Sequence, residues 1–452
     1  MQALLSDRRF KVTVFSLLLS ELVRNLGMNF YSLSMPYYLD SPQMAGNLAN
    51  APILIGIAIG VFGLVQASTQ IPLGRLSDRI GRRGILIVSG FIYASGALLV
   101  GLSQNIYEFI LFRAIQATGA VVSVIQACLG DIFPSEHRGT AMAWFSIVYM
   151  IGTIVGIPVG GVVAAVFGLQ LPFFIASTLG FLAALVLVAS LRETLPSKIA
   201  DTGAANAAKI NFPRTGAMES LNLPSRSPED RWTVASISQD PPKPKFFRAR
   251  GFFETCMIAM TTSFTMGSFF AFAPIFLQEE LGLSLDQALV FFIPGIIIFF
   301  VGALGSGVWS DRQGRRRPIV AGLAWAVPWF LAVPFASASL LPPIIILGLL
   351  GVAVAQTPLS ALVLDLVPKE VKGNASGFFN TLTILGSSIG SIAAGFIVEL
   401  YGQGTMFAFS GVLLFISLLV GVALLPRGRA REVALGAPGS RRLPADLQEQ
   451  AW

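Results

Sequence analysis

The chain has 452 residues, of which 54% are hydrophobic and 12% are charged, and its mean hydropathy is +0.72. Soluble domains carry charge on roughly a quarter of their residues, so this composition excludes an ordinary water-soluble protein. The net charge of +7 follows from basic loops at one side of a membrane, so it does not indicate a nucleic-acid partner.

Twelve apolar runs follow one another along the chain, each long enough to cross the hydrocarbon core of about 30 Å as a helix. They cover 13–38, 52–76, 84–103, 106–130, 140–166, 170–191, 252–278, 286–309, 318–337, 342–366, 375–400 and 405–426. A bilayer admits only helices and closed barrels, and the runs lack the alternation of barrel strands. The sequence therefore predicts an all-α polytopic membrane protein with twelve transmembrane helices.

Basic residues are distributed unevenly between the predicted loops. The loops after the odd-numbered spans contain no Lys or Arg and carry acids such as Asp40 and Glu279. The other loops and both ends hold most of the Lys and Arg residues, which by the positive-inside rule face the cytoplasm. We therefore predict a multi-pass protein of the cell membrane with both termini in the cytoplasm.

A polar stretch over 192–250 divides the apolar runs into two sets of six. It contains ten Lys or Arg and six Asp or Glu residues, which is typical of an aqueous segment. The predicted organisation is an N-terminal six-helix bundle over 1–191, a cytoplasmic linker over 192–250, a C-terminal six-helix bundle over 251–426 and a cytoplasmic tail over 427–452.

The two sets of six are related by an internal repeat. The decapeptide "GRLSDRIGRR" at 74–83 recurs as "GVWSDRQGRR" at 307–316, with seven of ten positions identical. A shift of 234 lays "DIFPSEHRGTA", which starts at Asp131, on "DLVPKEVKGNA", which starts at Asp365. The same shift lays the glycines at 152, 156 and 161 on those at 386, 390 and 395. Two parallel halves of this kind are typical of secondary transporters.

Three motifs give the chain a family resemblance. "GRLSDRIGRR" resembles the loop 2–3 signature of the major facilitator superfamily, and "RAIQATGA" at 113–120 resembles its helix 4 signature. "GTIVGIPVGG" at 152–161 resembles the helix 5 antiporter signature. The amino-acid sequence of helices 2 and 3 is most similar to that of the drug:proton antiporter branch. The chain departs from these patterns at Ala117, which replaces a glycine, and at Pro158, which comes one position late. The resemblance implies the major facilitator fold and transport by alternating access, without a cofactor and without enzymatic activity.

The repeated decapeptide is predicted to form a gate on the cytoplasmic face. In the family's account, Asp78 docks on the start of helix 11 near Gly373, and Asp311 docks on the start of helix 5 near Gly139. A carboxylate at an exposed helix N-terminus gains about 0.3–1 kcal/mol, which is small enough to release. The alternative is that the arginines only orient the protein, although they could also pair with Asp131 or Asp365. The candidate gate residues are Gly74, Asp78, Arg79, Gly81, Arg82, Asp131, Arg138, Gly307, Asp311, Arg312, Gly314, Arg315 and Asp365.

Ionisable residues inside a membrane are costly, so they are candidates for the substrate and proton sites. Glu21 and Arg24 lie inside the first apolar run, which argues against a cleaved signal peptide. They are at i,i+3 and share a helix face. At a rise of about 1.5 Å per residue, they and Arg113 lie near the midplane, with Glu21 within reach of Arg113. The alternative is a static ion pair that fixes the first helix. The candidate substrate and proton residues are Glu21, Arg24, Asn25, Asn29, Arg113, Gln116, Glu254, Gln356 and Asn380, with Phe264, Phe269, Phe270 and Phe272 as a candidate aromatic wall.

Small residues recur at four-residue spacing in the fifth span. Such residues let membrane helices approach closely, so Gly152, Gly156, Pro158, Gly160 and Gly161 are predicted to pack against the other half. The alternative is a specific antiporter role for these residues.

These observations predict a secondary transporter that exports small amphipathic compounds in exchange for protons. A phosphate-binding loop and a metal cluster are absent from the sequence, so a carboxylate must carry the proton. The expected partners are a small-molecule substrate, protons and the lipid bilayer, with the protein as a monomer. Two alternatives remain: a uniporter or symporter of a metabolite or organic anion, and a non-transporting receptor with the same fold.

Overall fold

The computed structural model describes residues 8–133, 137–191, 193–194, 249, 251–368 and 371–426. The predictions for the cytoplasmic tail, and for nearly all of the 192–250 linker, lie outside these residues.

Helices make up almost all of the described chain. The first half contains α1 (Arg8–Phe30), α2 (Ser34–Leu39), α3 (Ala51–Ile80), α4 (Arg82–Leu102), α5 (Ile106–Thr118), α6 (Val122–Ile132), α7 (Arg138–Phe167) and α8 (Leu171–Ser190). The second half contains α9 (Phe252–Leu281), α10 (Leu285–Gln313), α11 (Arg316–Ala332), α12 (Leu341–Asp365), α13 (Lys372–Tyr401) and α14 (Gln403–Leu424). Two short 3₁₀ turns, Val333–Phe335 and Ala338–Leu340, join α11 to α12.

The helices form the twelve predicted crossings. Within the described residues, eleven spans are long and apolar enough to cross a membrane, with α5 and α6 counted as one. The first helix, α1, is not among the eleven, because Glu21, Arg24 and the neighbouring asparagines lower its hydropathy. It packs along α7 and α8 inside the first half, and α2 continues it, so α1 and α2 form the remaining crossing.

Local sequence signals fix several helix ends. The Asn105 side chain accepts a hydrogen bond of 2.9 Å from the Glu108 N–H at the start of α5, and Ser284 and Gln287 form a capping box at the start of α10. The turns that end α3 and α10 contain Gly81 at φ +108° and Gly314 at φ +90°. Glycine adopts these angles without the clash that a β-carbon would cause, so both decapeptides can place a charged helix start directly after the preceding helix.

The fourth crossing is broken, which the predicted span 106–130 did not anticipate. The chain leaves the helix after Thr118 and resumes it at Val122. A β-carbon on Gly119 would lie 2.8 Å from the Tyr93 Cα atom of α4, so only glycine allows this approach. At the break, the Ala120 carbonyl accepts hydrogen bonds from the Gln66 amide at 3.1 Å and from the Val122 N–H at 3.2 Å, which satisfy a backbone group that lipid could not.

The two halves meet along α3 with α13 and along α7 with α10. We call the end of the bundle that carries Arg82 and Arg315 the basic end, and the end that carries Asp40 and Glu279 the acidic end. Toward the acidic end, β-carbons on Gly56 and Gly60 of α3 would each lie 2.6 Å from a backbone oxygen of α13.

The halves are separated at the basic end. β-Carbons on Gly139 of α7 and on Gly373 and Gly377 of α13 would meet no atom within 4 Å. Contact at one end and separation at the other describe a bundle that is closed toward the acidic end and open toward the basic end.

The glycines of α7 pack differently from the prediction. β-Carbons on Gly152 and Gly156 would lie 2.8 Å from side-chain atoms of Asn25 and Asn29 on α1, and Gly160 abuts the Phe30 backbone. The prediction that these three glycines contact the other half is therefore wrong, because four-residue spacing predicts close approach but not the partner helix. Pro158 lies half-buried inside the same helix.

The internal repeat reappears in this packing. Gly161 does reach the other half, 2.7 Å from a Leu289 methyl group of α10. In the second half, Gly386 and Gly390 abut the α9 backbone, while Gly395 reaches across to α3. Each half therefore uses two of these glycines internally and the third against its neighbour.

Candidate functional site

A cavity of about 370 Å³ lies where α7 of the first half faces α9, α10 and α12 of the second half. Its lining contains no charged side chain, and its polar side chains are Tyr149, Thr153 and Gln356. The remaining lining residues are apolar: Leu33, Ile157, Met266, Phe269, Phe270, Leu277, Phe291, Phe292, Gly295, Ile296, Phe299, Phe300, Pro342, Ile345, Ile346 and Leu349. Such a cavity suits an aromatic or aliphatic molecule with few polar groups.

The sequence predicted only part of this lining. Gln356 lines the cavity, and so do two of the four phenylalanines of the candidate aromatic wall, Phe269 and Phe270. Among the other candidates, Glu254 is half-buried near the start of α9 and Asn380 is exposed on α13. Sequence reasoning missed Tyr149 and Thr153, although two polar residues at i,i+4 in an apolar helix are a detectable signal.

The predicted pairing of Glu21 with Arg24 is confirmed. The Arg24 Nη2 atom lies 2.6 Å from Glu21 Oε1, and Nε lies 3.0 Å from Oε2. Glu21 is 0% exposed and Arg24 is 8% exposed, and neither residue lines the cavity. The Arg24 guanidinium lies 5.7 Å from the centre of the Tyr93 ring, so the pair is directed into the first half.

Arg113 is held away from this pair. Its Nη1 atom donates hydrogen bonds to the Tyr31 hydroxyl at 2.7 Å and to Gln116 Oε1 at 2.6 Å. Its guanidinium lies over the Phe62 ring at 4.4 Å and over the Tyr31 ring at 4.9 Å, both favourable cation–π distances. Within the described residues no ion pair joins Glu21 to Arg113, so that prediction is wrong: the helical rise gives the level of a residue along its helix, but not its direction around the helix axis.

A polar stripe on α1 connects the ion pair with the cavity wall. The Asn25 amide donates hydrogen bonds to the Tyr149 carbonyl at 2.6 Å and to the Thr153 hydroxyl at 3.1 Å. The Asn29 amide donates to the Asn25 carbonyl at 2.8 Å. Tyr149 and Thr153 also line the cavity, so this stripe leads from Glu21 to the cavity.

The two decapeptides make matching contacts inside their own halves. Arg82 pairs with Asp131 and, at 2.9 Å, with Asp78. Arg315 pairs with Asp311 and, at 2.9 Å, with Asp365. The pairing of each arginine with the acid at the end of the fourth helix of its half, proposed from the sequence, is therefore present.

The following arginine of each decapeptide binds a second helix end. Arg83 donates to the Val188 carbonyl at 3.4 Å, and Arg316 donates to the Val422 carbonyl at 2.5 Å. A cation at a helix C-terminus is favourable because the macrodipole places negative charge there. Each decapeptide thereby ties together four helices of one half: α3, α4, α6 and α8 in the first, and α10, α11, α12 and α14 in the second.

The predicted latch between the halves is not formed in this conformation. The Asp78 and Asp311 side chains are 58% and 67% exposed and bind the arginine four residues later in their own half. β-Carbons on Gly373 and Gly139, near which these aspartates were expected to dock, would meet no atom within 4 Å, because the basic end is open.

Within the described part of the chain, no hydrogen bond or ion pair joins the other candidate gate residues to the opposite half. Arg79 and Arg312 are exposed. A β-carbon on Gly74 would meet nothing within 4 Å, and one on Gly307 would meet only Thr357 of its own half. Arg138 begins α7, and its side chain lies outside the described part of the chain.

Glu193, immediately after α8, binds a helix start that sequence reasoning did not assign to it. Its carboxylate accepts hydrogen bonds from the backbone N–H groups of Arg82 at 2.9 Å and Arg83 at 3.2 Å. The first turn of α4 therefore has a carboxylate at its positive end, a favourable placement. At the opposite end of the bundle, burial raises the pKa of Asp40 above the ordinary value for an aspartate.

Residues 17–390 and 361–449 match the sequence model of the Major Facilitator Superfamily. The inner membrane transport protein YajR of Escherichia coli is 37% identical over 126 residues, which is 28% of this chain and 28% of that protein. The multidrug resistance protein MdtG of Proteus mirabilis is 22% identical over 80% of this chain and 84% of that protein. The probable galactarate/D-glucarate transporter GudP of Escherichia coli is 24% identical over 85% of this chain and 86% of that protein.

A solved structure of similar fold is that of a bacterial homolog of the human lysosomal transporter Spinster. The two chains are 15% identical, and the match covers 92% of this chain and 97% of the solved one. They superpose with a TM-score of 0.71. At this identity the likeness shows the fold.

Proposed function

Because the chain belongs to the Major Facilitator Superfamily, whose members are membrane transporters and not enzymes, we propose that it exports small amphipathic compounds in exchange for protons. The observation that carries this proposal is the cavity of about 370 Å³ between the halves, with many phenylalanines and no charge in its lining. The basic end faces the cytoplasm in this proposal, so the open conformation is the one that admits substrate from inside the cell.

The name of the relative MdtG supports an amphipathic substrate, whereas the name of GudP supports a sugar acid. An anion would need a cationic partner inside the cavity, because an unpaired buried charge is costly. Arg24 is already paired with Glu21, and Arg113 is bound by Tyr31 and Gln116 outside the cavity lining. The cavity therefore favours a neutral molecule, or a cation with delocalised charge, over an organic anion.

Glu21 is the proposed proton carrier. Its ionised carboxylate binds Arg24 through both oxygens, and protonation would remove the charge that holds this bidentate pair. The two protonation states therefore differ in where Arg24 is bound, which gives the proton a way to bias the conformation. The two acid-bearing loops at the basic end support a moving transporter over a static receptor, which would need no gate.

Flux into proteoliposomes under an imposed pH gradient tests this function. We expect the gradient to drive accumulation of neutral and lipophilic cationic dyes, while organic anions and sugar acids move no faster than in empty liposomes. Glu21→Gln should bind the dyes and lose the response to the gradient, and the control Glu399→Gln, half-buried near the end of α13, should keep it. Transport of sugar acids in place of dyes, or dye flux that ignores the gradient, would contradict the proposal.

A further inference from the structure

Tyr149 on α7 is in contact with both the cavity and the neighbourhood of the buried ion pair. It lines the cavity, and the residue is 41% exposed. Its backbone carbonyl accepts the 2.6 Å hydrogen bond from Asn25, one helical turn beyond Glu21 on α1. The Tyr149 phenol also interacts electrostatically with both Glu21 and Arg24.

The surroundings of Tyr149 give its ring a defined position. The Phe145 ring stacks on it with centroids 6.3 Å apart and an angle of 30° between planes. A β-carbon on Gly152 would lie 2.8 Å from the Asn25 amide nitrogen, so α7 and α1 are held together at this level. A shift of the α7 backbone at Tyr149 is therefore passed to α1 through the hydrogen bond from Asn25 to the Tyr149 carbonyl.

The hydroxyl of Thr153, which also lines the cavity, is already engaged in hydrogen bonds. Thr153 donates to the Tyr149 carbonyl at 3.1 Å and accepts from Asn25, so its hydroxyl is committed to the helix contact. The ionisable groups that act on Arg24 are Glu21 on its own helix, Tyr93 from α4 and Tyr149 from α7. Of these, Tyr149 is the one that lines the substrate cavity.

We propose that Tyr149 is the positioning residue that couples occupancy of the cavity to the protonation of Glu21. This inference rests on the proposed function, because it assumes that Glu21 exchanges the coupled proton. When Glu21 is ionised, its charge and that of Arg24 cancel, so the Tyr149 phenol lies near a pair with no net charge. When Glu21 is protonated, the charge of Arg24 is uncompensated, and the phenol oxygen becomes an acceptor for it.

A substrate that packs on the Tyr149 ring then favours one arrangement of the pair over the other. By linkage the effect is reciprocal: substrate changes the proton affinity of Glu21 by the same factor by which the proton changes substrate affinity. No bond is made or broken within the protein except the O–H bond of Glu21, whose proton comes from and returns to water.

Tyr149→Phe tests the inference, because it keeps the stacked ring and removes only the hydroxyl. The measurements are the pH dependence of dye affinity in detergent and the protons released or taken up when the dye is added. We expect wild type to change its dye affinity by about tenfold or more across the titration, within the usual range of coupling factors, and Tyr149→Phe by less than about threefold. Tyr107→Phe, whose ring is 62% exposed on α5, is the matched control and should behave as wild type.

The outcomes separate this inference from the proposed function. If Glu21→Gln has a flat pH profile and Tyr149→Phe matches wild type, the role of Tyr149 is refuted and proton coupling through Glu21 stands. If Glu21→Gln keeps the wild-type profile, both proposals are refuted. Should Tyr149→Phe not fold, Asn25→Ala carries the test, because it removes the hydrogen bond that holds Tyr149 to α1; an unchanged pH profile in that variant would refute the inference.

Discussion

Single glycines set how closely α7 approaches α1, and Gly160 is the clearest case. It abuts the backbone of Phe30, so a methyl group added there has no side chain to displace. We expect Gly160→Ala to lower the free energy of unfolding by about 1–3 kcal/mol, the usual cost of overpacking.

The control for that prediction is Gly139→Ala on the same helix, where the new methyl group would meet nothing within 4 Å. Thermal unfolding of the two purified variants in detergent measures the difference. Equal melting temperatures would show that α7 and α1 can separate without cost, contrary to the packing described above.

Residue-level prediction from the sequence succeeded where spacing along one helix was sufficient. The Glu21–Arg24 pair followed from i,i+3 spacing. Spacing does not give the rotation of a helix relative to its neighbours, so Arg113 was expected beside Glu21 but binds Tyr31 and Gln116. The cavity role of Tyr149 was missed for the same reason, since it depends on which face of α7 meets the second half.

At the scale of helices and loops, the decapeptides have one role that is observed and one that is proposed. The observed role is static: Arg82 and Arg315 tie helices together within each half. The proposed role is in the closed state, where Asp78 would leave Arg82 and dock on the start of α13 near Gly373. The open conformation is consistent with this proposal because Asp78 is exposed and can be reached.

Asp78→Asn separates the two roles. It removes the charge that the positive end of α13 would attract but keeps the pair between Arg82 and Asp131. We expect intact folding, slower transport and a cavity that remains accessible from the basic end for a larger fraction of the time.

The measurement is the rate at which an impermeant maleimide labels Ile346→Cys in the cavity wall, with Cys128 and Cys256 replaced by serine. Asp286→Asn, at the opposite end of the bundle, is the matched control. Wild-type transport and labelling rates in Asp78→Asn would exclude the latch.

Element boundaries were predicted well because a bilayer forces whole helices, and positive-φ glycines mark the turns in both decapeptides. The break between α5 and α6 was not predicted. It depends on the close approach of Gly119 to α4 and on the Gln66 amide, and neither contact leaves a local signal in the apolar run.

For the whole molecule, orientation in the membrane is a prediction that labelling can test directly. A single cysteine at Asp40 should react with an impermeant reagent applied outside intact cells, whereas Leu285, the other position suggested by the sequence, is 7% exposed and unsuitable for labelling. Cysteines placed in 200–240 should react only after the membrane is permeabilised. Labelling of the latter in intact cells would reverse the orientation and, with it, the proposed direction of transport.

The arrangement in two halves was predicted from the 234-residue repeat, and the packing of the equivalent glycines reproduces that repeat. The relation between the halves could not be predicted, because a repeat specifies each unit but not the angle between the units. The structure shows this relation: α3 and α13 touch toward the acidic end, while β-carbons on Gly139 of α7 and Gly373 of α13, near the basic end, would meet no atom within 4 Å.

We expect the two halves to rock around the cavity, opening one end as they close the other. Distances between paired spin labels test it most directly, with one pair at Leu76 and Gly377 near the basic end and another at Asn47 and Leu400 near the acidic end. On addition of dye and a change of pH in proteoliposomes, we predict that the basic-end pair moves closer while the acidic-end pair moves apart. Distances that stay fixed, or that change in the same direction at both ends while transport continues, would rule out a rocking motion of the halves.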